Sequence, residues 1–317
     1  MRLQMTRRSD SPAAAGLLAV MAATSLWATL GVAGKALYAG GAQPLVVVAW
    51  RAILAGAALL AVLAVRAPAL LRIPAGETPF FALYGFVAAA NYACYFLALR
   101  HTTVAVAIVL LYTYPAFTAI ATRVLYGEAL DAPKVVALAS TFAGVVLVAR
   151  GYDPRSLQID ATGIAFGLGA GITMAAYGLL GKRATRIHSP WTTALYAFAF
   201  AAGWLALAQG PRLAGALAYT PAMRAGLLYM ALGPTLLSYG LFLWAIQRIE
   251  VSRASLWTTL EPPLAALLAF AFLGETVDAV QGAGCVLILT GIVILQGWRS
   301  SARQAAPPPR PWEQTHR

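Results

Sequence analysis

Much of this chain repeats itself at one fixed offset. Pro115, in the pair Tyr114-Pro115, and Pro262, in Glu261-Pro262, stand 147 residues apart. The same step carries Gly127-Glu128 onto Gly274-Glu275, Asp131 onto Asp278 and Gly144 onto Gly291. Nearer the N-terminus it carries Gly31, Gly34 and Lys35 onto Gly178, Gly181 and Lys182, and it joins Tyr92 to Tyr239 and Val104 to Val251. One ungapped register over roughly 130 residues marks an internal duplication. The chain is two copies of one unit.

The unit is hydrophobic. Sixty per cent of the residues are apolar and only 11% are charged, against about 25% charged in a soluble domain. A water-soluble protein of this makeup would lack a polar coat. The apolar residues fall in blocks of roughly twenty, the length that carries a helix across about 30 Å of hydrocarbon. The alternating segments of about ten residues that mark a membrane β-barrel are missing. The expectation is an all-α membrane protein with ten transmembrane helices. Its spans are Ala14–Leu37, Pro44–Val65, Pro79–Leu99, Thr103–Leu125, Ala132–Ala149, Ala161–Gly181, Thr192–Ala208, Arg224–Ile246, Ala254–Leu273 and Asp278–Gln296. Five spans belong to each copy, residues 14–149 and 161–296. Residues 1–13 are expected to form a cytoplasmic N-terminal tail, and residues 298–317, rich in proline near the end, a disordered cytoplasmic one.

The net charge of +12 reads as a topology signal rather than as affinity for nucleic acid. With the N-terminus in the cytoplasm, sixteen Lys and Arg fall on the inside and six on the outside, as the positive-inside bias requires. Both termini are therefore expected to be cytoplasmic. Cys94 and Cys285 lie within spans and far apart in the repeat, which suits packing better than a disulfide or a metal site.

A unit of five crossings begins and ends on opposite membrane faces, so its second copy is expected to be inverted. Inverted repeats give secondary transporters two related states, one open to each side, around a midplane site. Enzymatic motifs are lacking: the three histidines are dispersed, and no phosphate loop, His-Glu-x-x-His pair or Gly-x-Ser-x-Gly elbow occurs. Neither a catalytic role nor a cofactor is expected. With no nucleotide motif in this chain, transport would run on a solute or proton gradient.

Trp50-Arg51-Ala52-Ile53-Leu54-Ala55 resembles the arginine-led second helix of EamA-type members of the drug/metabolite transporter superfamily. Pro115 with Gly127-Glu128, and Glu261-Pro262 with Phe272-Leu273-Gly274-Glu275, resemble the signature that closes the fourth helix of each EamA unit. Tyr126 replaces the usual leucine of that signature. The resemblance spans about residues 14–297. It implies a ten-helix bundle of two inverted repeats with a central cavity in the bacterial inner membrane. It also implies a small-molecule substrate, most simply an amino acid or similar amphipathic metabolite that is exported. Transport of sugars, nucleosides or drugs, or flipping of a lipid-linked headgroup, are the alternatives.

Several polar residues within the spans are candidates for that work. Glu261 lies roughly 10 Å into the ninth span at 1.5 Å per residue, and an intramembrane carboxylate is a functional candidate by default. It would bind an ammonium group or a coupling proton; equally, it could anchor backbone freed by Pro262-Pro263. Arg51 lies at similar depth from the other side and would hold a substrate carboxylate, bond carbonyls, or snorkel outward. Lys35 and Lys182 follow Gly-x-x-Gly spacings and read as gate-edge charges. Tyr84, Ala88, Asn91 and Tyr95 share one face of the third span. Asn91, Tyr95, Tyr112, Tyr114, Tyr177, Tyr239, Trp244, Trp257 and Glu261 are the expected lining of the substrate site, where aromatic rings would favour an amine. The helix-end pairs Gly127-Glu128 and Gly274-Glu275 read as structural, with glycine in a left-handed position that stops the helix.

Overall fold

The computed structural model describes residues 12–101, 107, 110–127, 129–148, 151–153, 161–273 and 278–305. The helices are α1 (Pro12–Ala39), α2 (Pro44–Arg66), α3 (Thr78–His101), α4 (Tyr114–Tyr126), α5 (Ala132–Val148), α6 (Ala161–Ile187) and α7 (Pro190–Gln209). They continue with α8 (Pro221–Ala231), α9 (Ser238–Ile246), α10 (Val251–Trp257), α11 (Glu261–Leu273) and α12 (Ala279–Ala305). A π-helical stretch, Leu232–Leu237, joins α8 and α9 into one rod, and a 3-10 turn, Thr258–Leu260, joins α10 to α11. Among the described residues six rods are long and apolar enough to cross a membrane: α1, α2, α3, α6, α7 and the α8–α9 rod. Exposed Leu18, Val62, Leu207 and Val293 give the outer faces an apolar surface, as lipid contact demands. α12 runs on to Ala305, into the segment expected to be disordered; nothing there breaks a helix until Pro307. Residues 306–317 lie outside the described ones.

Local chemistry accounts for the helix ends. Pro44, Pro190 and Pro221 open their helices at positions where a missing N–H costs nothing. The Ser189 hydroxyl accepts from Thr192 N at 3.0 Å and Thr220 Oγ1 from Met223 N at 3.3 Å. Gly127 ends α4 in the left-handed region, φ +68, the role expected of it.

The two copies pack reciprocally. α1 lies against α9 and α11, and its mate α6 lies against α3 and α4. α2 pairs with its own mate α7, and α5 with its own mate α12. Some residues touch their own repeat mates. Ser140 Oγ donates to the carbonyl of Leu287, 147 residues on, at 2.9 Å. The rings of Tyr92 and Tyr239 meet edge to face at 5.9 Å.

Where α5 crosses α12, glycine allows the backbones to touch. A Cβ on Gly144 would lie 2.6 Å from Gly284 O and 2.9 Å from Ile288 N; one on its mate Gly291 would lie 2.8 Å from Ala137 O. These obstacles are backbone and cannot swing away. Gly144→Leu is therefore expected to destabilise the protein by roughly 3 kcal/mol or more, read as unfolding in detergent. Gly282→Leu, on the same α12 but with open space around it, should melt like the parent protein.

Candidate functional site

Two helices break at the same register of the repeat. The fourth span pauses in a turn at Tyr112-Thr113 before α4 starts at Tyr114-Pro115. The ninth span pauses at Thr258–Leu260 before α11 starts at Glu261-Pro262. Proline explains both, because it cannot donate to the carbonyl four residues back. For Pro262 that carbonyl belongs to Thr258, and the Tyr112 hydroxyl reaches it across the repeat at 3.5 Å. The Tyr114 hydroxyl donates to Ser255 O at 3.1 Å. The break in the ninth span is thus covered by two side chains of its counterpart. Discontinuous helices at a repeat interface are where transporters place their ligands.

Glu261 stands at the first residue of α11, half-buried. Tyr95, Tyr112 and Tyr114 surround it, all within electrostatic reach of its carboxylate, and Tyr112 directs its hydroxyl toward it. The tyrosines bring three hydroxyls and apolar ring faces together around one acid. Glu261 forms no ion pair among the described residues.

A second group surrounds Arg51, which is 6% exposed. Its Nε donates to Thr235 Oγ1 at 3.0 Å, and its guanidinium carbon lies 5.8 Å from the centroid of the Tyr92 ring. Thr235 belongs to the π-helical stretch and passes its own proton to Met230 O, five residues back, at 2.7 Å. Pro234 opens that ladder, the extra residue turns Thr235 toward α2, and Arg51 fills the gap. π-bulges of this kind recur at functional sites. Around Arg51, Tyr239 contacts the rings of Trp27 (5.1 Å), Tyr177 (5.3 Å) and Phe198 (6.1 Å). Tyr177 in turn stacks on Tyr84 at 4.8 Å. The buried hydroxyls of Tyr84, Tyr92 and Tyr177 lack hydrogen-bond geometry to any described residue.

Tyr38 and Tyr95 connect the two groups. Tyr38 lies within reach of Arg51, and Tyr95 within reach of both Tyr38 and Glu261; Phe96 touches both rings, at 6.3 and 5.6 Å. A cation and an anion therefore stand at the two ends of an aromatic row.

One end of the bundle is sealed. Lys182 Nζ donates to the carbonyls of Ile246 and, at 3.0 Å, Ile249, while Gln247 Nε2 donates to Thr185 O at 2.7 Å. Gly181 packs there under Leu243, Ile246 and the Tyr84 hydroxyl. Its repeat mate Gly34 meets only Tyr38 of its own helix. Among the described residues the two glycines therefore differ: Gly181 is packed onto α9, and Gly34 has no such packing onto another helix.

Comparison with known proteins explains this arrangement. The EamA-like transporter family model matches twice, over residues 14–150 and 161–296. The chain belongs to the EamA-like transporter family. An uncharacterized transporter of Archaeoglobus fulgidus is 30% identical over 69% of this chain and 74% of that protein. The uncharacterized transporter YwfM of Bacillus subtilis is 28% identical over 88% and 92%. The threonine/homoserine exporter RhtA of Salmonella typhimurium is 34% identical, but the match spans 43% of this chain and 44% of that exporter. A protein of known crystal structure, 19% identical, superposes with a TM-score of 0.75 over 92% of this chain and 99% of its own, which establishes a shared fold. The protein is a multi-pass membrane transporter and not an enzyme.

Within this family bundle, Tyr95, Tyr112, Tyr114 and Glu261 come together, and Tyr177 and Tyr239 join the group around Arg51. Trp257 is half-buried and packs against both groups, its indole N–H buried without a hydrogen-bond partner among the described residues. Asn91 meets polar partners: its amide nitrogen donates to Ala170 O at 2.8 Å and to Thr173 Oγ1 at 3.3 Å, fastening α3 to α6. Trp244 departs from expectation, because it sits near the end of α9 with the Arg248 guanidinium 3.5 Å over its ring. The side chain of Lys35 lies outside the described residues, as do Glu128, Gly274 and Glu275. Thr235, Tyr38 and the π-helical stretch were missed from sequence, although Gly233-Pro234 in the eighth span was a visible sign. Lys182→Met is expected to loosen the seal. With Cys94 and Cys285 replaced, a Leu243→Cys probe should then react with maleimide at least about tenfold faster, given the worth of charged hydrogen bonds.

Proposed function

We propose that this chain is a secondary transporter that exports small amino acids across the bacterial cytoplasmic membrane, its halves inverted and rocking between two states. One observation carries the substrate class: Arg51 and Glu261, both intramembrane and neither in an ion pair among the described residues, face a common aromatic row. An amino acid presents a carboxylate to the first and an ammonium to the second, with cation–π support from the tyrosines. The partial match to exporters of threonine and homoserine points the same way.

Inversion is supported by how the turns group. The α2–α3 turn bonds to α7 near its start, through Leu70 O to Thr192 and Leu71 O to Tyr196. Glu77 meets His188 there at 3.9 Å, beside the Lys182 seal. At the other end of α2, Trp50 Nε1 bonds to Leu213 O after α7. α2 has 23 residues, so about 34 Å separates the two groups of turns, and repeat-mate turns belong to opposite groups. With the termini in the cytoplasm, the sealed face is the inner one.

Counterflow in proteoliposomes tests the substrate. L-threonine is expected to exchange. Threonine amide, lacking the carboxylate, and 3-hydroxybutyrate, lacking the ammonium, are expected to compete at least about tenfold more weakly, one charge-assisted contact being lost in each. Equal competition by all three, or no exchange of any amino acid, would defeat the reading.

A further inference from the structure

On the face opposite the Lys182 seal lies a cavity of about 280 Å³ between the α1–α2 turn and the 3-10 segment that follows α7. It is lined by Gly41, Gln43, Val46, Arg212, Gly215 and Tyr219. The turn at Gly41 needs a left-handed residue, φ +88. The 3-10 segment is held by the bond from Trp50, the residue next to Arg51, to Leu213 O at 3.0 Å.

Its charge is one-sided. Arg212 is exposed and makes no hydrogen bond or ion pair among the described residues, and Arg224 stands nearby, bonded to Leu217 O at 2.7 Å. Neither 37–46 nor 209–224 contains an Asp or Glu. Uncompensated arginine on the proposed outer face runs against the positive-inside bias. A concave site with uncompensated positive charge concentrates anions. Tyr38 packs against the cluster that holds Val46 and Tyr219 of the cavity wall, and it lies within electrostatic reach of Arg51.

We propose that this cavity is a second, outer station that holds the substrate's carboxylate at Arg212 as it leaves or approaches Arg51. The ligand class is a small carboxylate-bearing metabolite, which rests on the reading of Arg51 above. A docked carboxylate would exchange the Arg51 guanidinium for the Arg212 one, with the Gln43 amide as a further donor, while Tyr38 and Tyr219 keep the passage narrow.

The test uses threonine and threonine amide in membrane vesicles of defined orientation. Arg212→Gln is expected to raise the half-saturating threonine concentration about two- to fivefold at the cavity face, and to leave it unchanged at the sealed face. Arg212→Lys should stay near the parent value. Transport of threonine amide should not respond to either variant. An unchanged Arg212→Gln, an equal shift at both faces, or the same shift for the amide would overturn the outer station. Arg51→Gln serves as the separate control: its failure to weaken threonine at both faces would remove the central site, whatever Arg212 does.

Discussion

Arg51→Gln is expected to cost this transporter at least about 30-fold in threonine affinity while leaving the folded bundle intact. The guanidinium is buried, its one hydrogen bond among the described residues goes from Nε to Thr235, and its carbon lies 5.8 Å from the centroid of the Tyr92 ring. Truncating one partner of a buried, charged hydrogen bond costs about 2–5 kcal/mol, and the lower figure already corresponds to about 30-fold. Glutamine retains a donor for Thr235, so the π-helical stretch keeps its partner. Arg51→Lys keeps the charge but loses the planar fork and should fall between the two. Threonine counterflow and a detergent melting curve separate the cases. Parent-like affinity in Arg51→Gln would show that this arginine takes no part in holding the substrate.

Much of the architecture could be read before any coordinates because it depends on contacts a repeat makes with itself. The offset of 147 residues joins Ser140 to Leu287, and these two bond; it joins Tyr92 to Tyr239, whose rings meet. Gly127 was expected to stop its helix in the left-handed region and does so. The site was less legible, for two physical reasons. Helical spacing states which residues share a face, but not what opposes that face: Asn91 lies beside Tyr95, yet α6 takes its amide. Depth counted from span ends treats each span as a straight rod, whereas the eighth carries a π-helical stretch and the ninth a 3-10 break. Arg51 and Glu261 enter from opposite sides of the membrane. They do not pair, and Tyr38 and Tyr95 occupy the space that links them.

Glu261→Gln is expected to be the second large effect. Glutamine has the same shape and can still accept from Tyr112, so the junction between the 3-10 turn and α11 should survive. What it removes is the negative charge that faces Tyr95, Tyr112 and Tyr114. If that charge holds an ammonium group, threonine affinity should fall by at least about tenfold, one charge-assisted contact being worth about 1.5–3 kcal/mol. Competition by 3-hydroxybutyrate, which has no ammonium, should hardly change. Glu261→Asp, with the charge drawn back by one methylene, should be intermediate. The opposite pattern identifies an architectural acid: if Glu261→Gln lowers the melting temperature but binds threonine and 3-hydroxybutyrate in the parent ratio, the carboxylate anchors the backbone freed by Pro262 and takes no part in choosing substrate. A combined variant, Arg51→Gln with Glu261→Gln, distinguishes independent contacts from a shared ligand. Two groups holding opposite ends of one molecule should lose less together than the sum of the separate losses, because a substrate released at one end no longer gains from the other.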